Sequence, residues 1–234
     1  GLITAPEYQK HIARTLLVAP LFSCLDEAQI RRTGEVCYSS FSGTVGNGDA
    51  AEFFGGIEQK YGVKIVYGRR PMSDAASGRE VSTEVVLVDC SGMDPDRENL
   101  FKYKLYGTFG LQSELYESVW DYTQYLRLAE PAYEVVVGLL EEEAGPHFVI
   151  SHEYMGVPLA LKTILAADPR FRTVFHAHEV ATMRPLVEES PGHDAMFYNV
   201  METATEAGMG VEEVFGDQSG FYRHALVTQA QHLD

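Results

Sequence analysis

The sequence predicts an α/β fold built on a doubly wound, mostly parallel sheet, and three observations carry that expectation. The first is a strand, a helix and a strand in succession: residues 147–151 (HFVIS), 157–167 (VPLALKTILAA) and 172–177 (RTVFHA). Strand, helix, strand over roughly 30 residues is a crossover unit, which makes its two strands parallel in nearly all cases. The second is the continuous apolar run of strand length at 15–20 (TLLVAP), the pattern of a buried parallel strand. The third is the spread of apolar and aromatic residues along all 234 positions, which supplies a core for one large domain or two small ones.

The elements follow in order. Residues 7–14 read as a short helix leading into the strand at 15–20. Residues 37–56 are rich in Gly, Ser and Asn and read as loop, Gly43, Gly46, Gly48, Gly55 and Gly56 included. Residues 63–67 (VKIVY) and 84–89 (EVVLVD) are strands, separated by a polar turn at 73–79. The aromatic, alternating stretch 101–109 reads as a further strand ending at Gly110. Leu115, Val119, Tyr122 and Leu126 mark an amphipathic helix within 112–128. A separate helix is expected to start at Pro131, with Tyr133, Val136, Val137 and Leu140 as its stripe and Gly145 beyond its acidic end. Asp168-Pro169 breaks the helix of the crossover unit, and two helical stretches, 194–207 and 219–233, finish the chain.

Composition excludes several classes of function. A net charge of −16 argues against a nucleic-acid surface or an anionic membrane. No apolar stretch approaches the roughly 20 residues of a membrane helix, and residues 1–6 lack the basic-then-apolar pattern of a signal peptide. Cys24, Cys37 and Cys90 are odd in number and lack CxxC spacing, so reduced thiols and a cytoplasmic setting are expected. There is no Gly-x-Ser-x-Gly elbow, no Walker loop and no full Gly-x-Gly-x-x-Gly after the first strand. The glycine-rich run 43–48 has no clear helix behind it and reads as a surface loop.

Chemistry concentrates at one edge. In doubly wound sheets ligands bind outside the carboxyl ends of the strands. Ser151-His152-Glu153-Tyr154 follows one strand of the crossover unit, and His176-Ala177-His178-Glu179 ends the other. Imidazoles and carboxylates gathered there suit hydrogen bonding to sugar hydroxyls, proton transfer or metal binding. A competing reading makes the same side chains helix caps and loop supports. A metal site would use His152, His176, His178 and Glu179, with His193 as the nearest further ligand, but neither HExxH spacing nor a well-placed third ligand is present.

At these residues the chain resembles the N-terminal domain of the glycogen and starch synthases, retaining glycosyltransferases of the two-domain GT-B architecture. Ser151-His152-Glu153-Tyr154, followed by Pro158, Leu159, Leu161 and Lys162, resembles that family's His-Asp-Trp segment and leucine-rich helix. Residues 172–179 (RTVFHAHE) resemble the strand that the family ends with Thr-Val-Phe-Thr-Ile-His-Asn. Gln218, Phe221 and Arg223 resemble a later Gln-x-x-Phe-x-Lys stretch, and Gly1-Leu2 the tail of a Lys-x-Gly-Gly-Leu loop. The match is dense from 147 to 179, and it departs at Glu153 for Asp, Tyr154 for Trp and Glu179 for Asn.

The resemblance implies a single Rossmann-like domain over 1–234, the N-terminal half of a GT-B enzyme, with the C-terminal nucleotide-binding domain absent from these residues. It implies transfer of glucose from ADP- or UDP-glucose to an α-1,4-glucan with retention, and a chain that is inactive without its second domain. His178 and Glu153 would be catalytic, and Gly1, Leu2, His152, Tyr154, Glu179 and Gln218 would bind donor or acceptor, with no metal and no cofactor beyond the nucleotide-sugar substrate. Expected partners are the nucleotide sugar, the α-glucan, the missing domain and, through self-association, further copies of the chain. The alternatives are a noncatalytic glucan- or partner-binding domain using Tyr154, Tyr198 and Tyr222, and a metal-dependent hydrolase using the His/Glu cluster.

Overall fold

The computed structural model describes residues 2–44, 46, 48–74, 77–177, 193–210, 213 and 216–234, with the backbone alone at 24, 193–198 and 200. It is a mixed α/β protein whose described residues fall into two compact units. One comprises Gly1–Leu100 with Arg127–Glu143, the other Phe101–Leu126 with Ala144–Asp234.

In the first unit, α1 (Pro6–His11) leads into β1 (Leu16–Pro20), then α2 (Cys24–Thr33), β2 (Glu35–Ser39), α3 (Gly48–Tyr61), β3 (Lys64–Ser73) and β4 (Glu80–Asp89). The four strands form one sheet in the order β1-β4-β3-β2. β1 pairs with β4 in parallel, whereas β3 is antiparallel to both β4 and β2. Three strands therefore point one way and β3 runs against them. The sheet expected to be mostly parallel is thus mixed. The reason is local: β3 and β4 are joined by a short turn, in which the Asp74 backbone amide donates to the Arg79 carbonyl at 2.8 Å, too short for the crossover that a parallel pair requires.

Helices cover both faces of this sheet. Ile30 of α2 packs with Val66, Val85 and Leu87, and Leu17 and Ala19 of β1 join that cluster. On the other face Phe54 of α3 stacks on Tyr38, with ring centroids 4.6 Å apart, and tilts against Tyr67 at 5.3 Å. Strand side chains alternate between faces, so Val66 meets α2 while Tyr67 meets α3. Two sequence expectations change here. The segment read as loop over 37–56 holds the end of β2 and more than half of α3, and the glycine-rich run 43–48 opens directly into α3.

The loop between β2 and α3 is pinned by a carboxylate. Glu27 accepts from Arg31 Nη2 at 2.7 Å and from Ser39 Oγ at 2.8 Å, while Arg31 also donates to Thr44 Oγ1 at 2.6 Å. Burial opposes the Glu27 charge, but hydrogen bonds from Ser42, Arg31 and Ser39 outweigh it and hold the carboxyl below its ordinary value of 4.5. A depressed folded-state value stabilises the fold above the unfolded value and ceases to do so as pH falls through the folded one. Glu27→Gln should therefore cost about 1–2 kcal/mol at pH 7. In denaturant melts from pH 7 to pH 3, the gap to the parent should close below pH 4.5.

α4 (Pro95–Phe109) and α5 (Trp120–Leu139) each run from one unit into the other. The strand expected at 101–109 is the second half of α4: Phe101 and Leu105, one helical turn apart, are buried, while Tyr103 and Tyr106 are exposed. That is a period of 3.6 and not of two. The separate helix expected from Pro131 is also absent, because Pro131 lies inside the continuous α5. A short 3-10 turn, Ser113–Tyr116, precedes α5.

The second unit holds β5 (His147–His152), α6 (Val157–Ala166), β6 (Phe171–His176), α7 (His193–Glu206) and α8 (Tyr222–Thr228). β5 and β6 form a two-stranded parallel sheet, as the crossover pattern predicts. Among the described residues no helix is long and apolar enough to cross a membrane.

Candidate functional site

The β5–α6–β6 unit is built from plain local signals. Pro158 sits in the first turn of α6, where its missing N–H has no intrahelical partner to lose. Val157, Ala160 and Leu161 are each 0% exposed. The helix stops at Ala167, which takes a left-handed conformation at φ 53°. Asp168 then accepts from the Arg170 amide at 2.9 Å and from its guanidinium at 2.8 Å. That bracket turns the chain into β6, and the Arg170 carbonyl receives the His147 amide at 2.8 Å.

The register pairs His147 with Phe171 and ends with His152 directly opposite His176. Their rings lie side by side at the carboxyl edge, centroids 5.6 Å apart and planes inclined by 36°. Two of the residues singled out in the sequence are thus brought together. His178 and Glu179 lie outside the described residues, as does Gly1. His193 begins α7 and Tyr198 lies within it, both at positions described by backbone alone. Leu2 belongs to the first unit and is exposed. Gln218 precedes α8; its carbonyl accepts from the Phe221 amide at 2.9 Å.

Beyond His152 the backbone reverses in a 3-10 turn, Glu153–Gly156. Glu153 adopts φ 54°, in the left-handed region that ordinary residues seldom occupy. It is only 5% exposed, and its carbonyl accepts from Ser151 Oγ at 3.1 Å. A strained, buried acid at a strand end is a recurrent feature of functional sites. Gly156 makes the reversal possible: a Cβ there would stand 2.6 Å from Ser151 Cα and 2.9 Å from Ser151 Oγ. Gly156→Ala should cost about 1–3 kcal/mol, because Ser151 is embedded and cannot yield. Chemical denaturation of the variant beside the parent measures it.

The sequence reading missed the centre of this region. Asp121, in the first turn of α5, receives the Tyr154 phenol at 3.0 Å on its Oδ2 atom. The Tyr222 phenol donates to the same oxygen, and Gln124 Nε2 donates to Oδ1 at 3.0 Å. Arg223 Nε donates to the Tyr222 hydroxyl at 2.8 Å. Its guanidinium lies 4.9 Å from the Tyr154 ring centroid and 5.5 Å from that of Tyr222. Tyr125 completes the group, edge-on to Tyr154 at 5.9 Å.

Burial, aided by the Asp121 carboxylate, pushes the Tyr154 phenol far above its ordinary value, and Tyr222 shifts the same way. Both phenols therefore stay protonated and donate at neutral pH. Burial and then Asp121 raise Tyr125 to about 12. Arg223 is drawn down by burial, yet Tyr222, Tyr154 and Asp121 together move its value upward. No motif carries Asp121, which lies 33 positions from Tyr154 and 101 from Tyr222. Only the fold joins them.

The arrangement offers imidazole and carboxylate groups at a strand edge, backed by a tyrosine-rich support. That chemistry suits binding of hydroxyl-bearing ligands and proton transfer. Among the described residues no three His, Cys, Asp or Glu side chains form a group that could hold a metal ion. In comparisons with known proteins, no protein-family model matches the chain, and no curated protein matches it either.

Proposed function

We propose that residues 1–234 are the N-terminal, Rossmann-like domain of a two-domain GT-B glucosyltransferase that extends α-1,4-glucans from ADP- or UDP-glucose with retention. One observation supports this reading best: the parallel β5–α6–β6 unit aligns His152 with His176 at its carboxyl edge and buries Glu153 in the turn just beyond. This is the segment in which the resemblance to glycogen and starch synthases is densest.

In this reading His178 hydrogen-bonds the transferring glucose and steadies charge as the bond to phosphate loosens. Glu153 holds sugar hydroxyls, and its withdrawal from water strengthens such a bond. His152, Tyr154, Glu179 and Gln218 line the donor and acceptor side, and Gly1-Leu2 approaches the phosphates through its backbone. The facing wall and most nucleotide contacts belong to a C-terminal domain, which closes on the substrate. The enzyme works in the cytoplasm without a metal.

The test uses the full-length protein with a maltooligosaccharide acceptor and either ADP-glucose or UDP-glucose, with the new linkage read by proton NMR. The reading expects elongation by α-linked glucose from at least one donor. Absence of transfer from both donors, or a β-linked product, overturns it.

A further inference from the structure

Asp121 does more than satisfy a pair of phenols. Its Oδ2 atom gathers groups from two distant segments: Tyr154 from the turn after β5, and Tyr222, with Arg223 beside it at 3.8 Å, from the start of α8. The carboxylate itself stands at the amino end of α5, where the helix dipole favours negative charge. Arg223 lies against both tyrosine rings and so adds cation–π attraction to the ion pair.

The segment leading into α8 is fastened to the same neighbourhood. Tyr116 Oη donates to the Ser219 carbonyl at 2.5 Å, and Tyr122 Oη donates to Ser113 Oγ at 2.7 Å. Tyr122 also meets Tyr222 edge-on, with ring centroids 6.4 Å apart. α8 is thereby held on the Glu153–Gly156 turn, which it contacts directly.

Among the described residues of the candidate edge, that turn is where the backbone is strained. A left-handed glutamate persists only where its surroundings over-determine it. Ser151 grips the Glu153 carbonyl from one side, and Tyr154, the next residue, is fixed by Asp121 on the other.

We propose that Asp121 is a positioning residue for the β5 edge, tying Tyr154, Tyr222 and Arg223 into a latch that holds the Glu153 turn and so sets where His152 and Glu153 stand. The inference rests on the reading of this edge as the working site. Asp121 touches no reacting atom in it; it acts through Tyr154.

The test is made on the full-length protein with ¹⁵N-labelled histidine. Asp121→Asn keeps the shape of the side chain and removes its charge. The imidazole resonances of His152 should shift. Transfer should fall about tenfold or more in kcat with KM little changed, and Asp121→Glu should recover part of it. Tyr222→Phe, which deletes one donor and keeps the ring, should give the same changes at smaller size. Unmoved His152 resonances in both variants overturn the latch even where transfer is robust. Shifted resonances in a protein with no transferase activity support the latch and overturn only the assigned reaction.

Discussion

Replacing Arg14 by methionine should destabilise the first unit, because this one side chain ties together three of its segments. Arg14 donates from Nη2 to Glu84 at 2.7 Å, from Nη1 to the Leu139 carbonyl at 2.8 Å and from Nη1 to Glu143 at 2.5 Å. It therefore binds the entry of β1, the middle of β4 and the end of α5 in one side chain. Glu84 also receives the Tyr67 phenol at 3.0 Å. Burial works against the guanidinium charge, but the two carboxylates more than compensate and raise its value.

The side chain of Arg14 is 28% exposed and that of Glu84 is 13% exposed, between a surface pair and a buried one. Exposed pairs contribute about 0–1 kcal/mol, and breaking a buried one costs about 3–5 kcal/mol. Arg14→Met should accordingly cost about 2–3 kcal/mol, read as a lower denaturation midpoint at unchanged slope. Part of that loss is the charge left on Glu84, which keeps the Tyr67 phenol and, at 3.9 Å, Arg69. Adding Glu84→Gln should recover part of it, which an additive pair of substitutions would not do.

The unit that carries the candidate site was the most legible part of the sequence. Two apolar strand-length runs, a helix opened by Pro158 and a break at Asp168-Pro169 all agree on a parallel crossover, and β5, α6 and β6 fall within one or two residues of the predicted bounds. Local propensity and tertiary context point the same way there. Elsewhere they diverge. Five glycines between 43 and 56 signal loop, yet Phe54, Ile57 and Tyr61 form a buried helical stripe in α3. Gly48, Gly55 and Gly56 sit in open space on that helix, so packing of the aromatic face outweighs their cost. In α4, aromatic residues suggest a strand while the burial of Phe101 and Leu105 settles on a helix.

Of the candidate site, the pairing of His152 with His176 follows from the crossover once the register is known. The strained backbone of Glu153 and the part played by Asp121 do not. A left-handed acid is not a propensity of glutamate, and the Asp121 contacts span three segments distant in sequence. Long-range hydrogen bonds of this kind leave no periodic trace.

The second large effect concerns chemistry. In the proposed reaction His178 hydrogen-bonds the transferring glucose and holds it in place as the bond to the diphosphate loosens. Displacing a reacting group by about 1 Å can cost about a hundredfold in rate.

The decisive measurement is glucosyl transfer by the full-length protein and its His178→Ala variant, with the better of ADP-glucose and UDP-glucose and a maltooligosaccharide acceptor. The proposal predicts retaining transfer by the parent and a fall of about a hundredfold in kcat for the variant. Transfer that is undiminished in the variant, or absent from the parent, would contradict it.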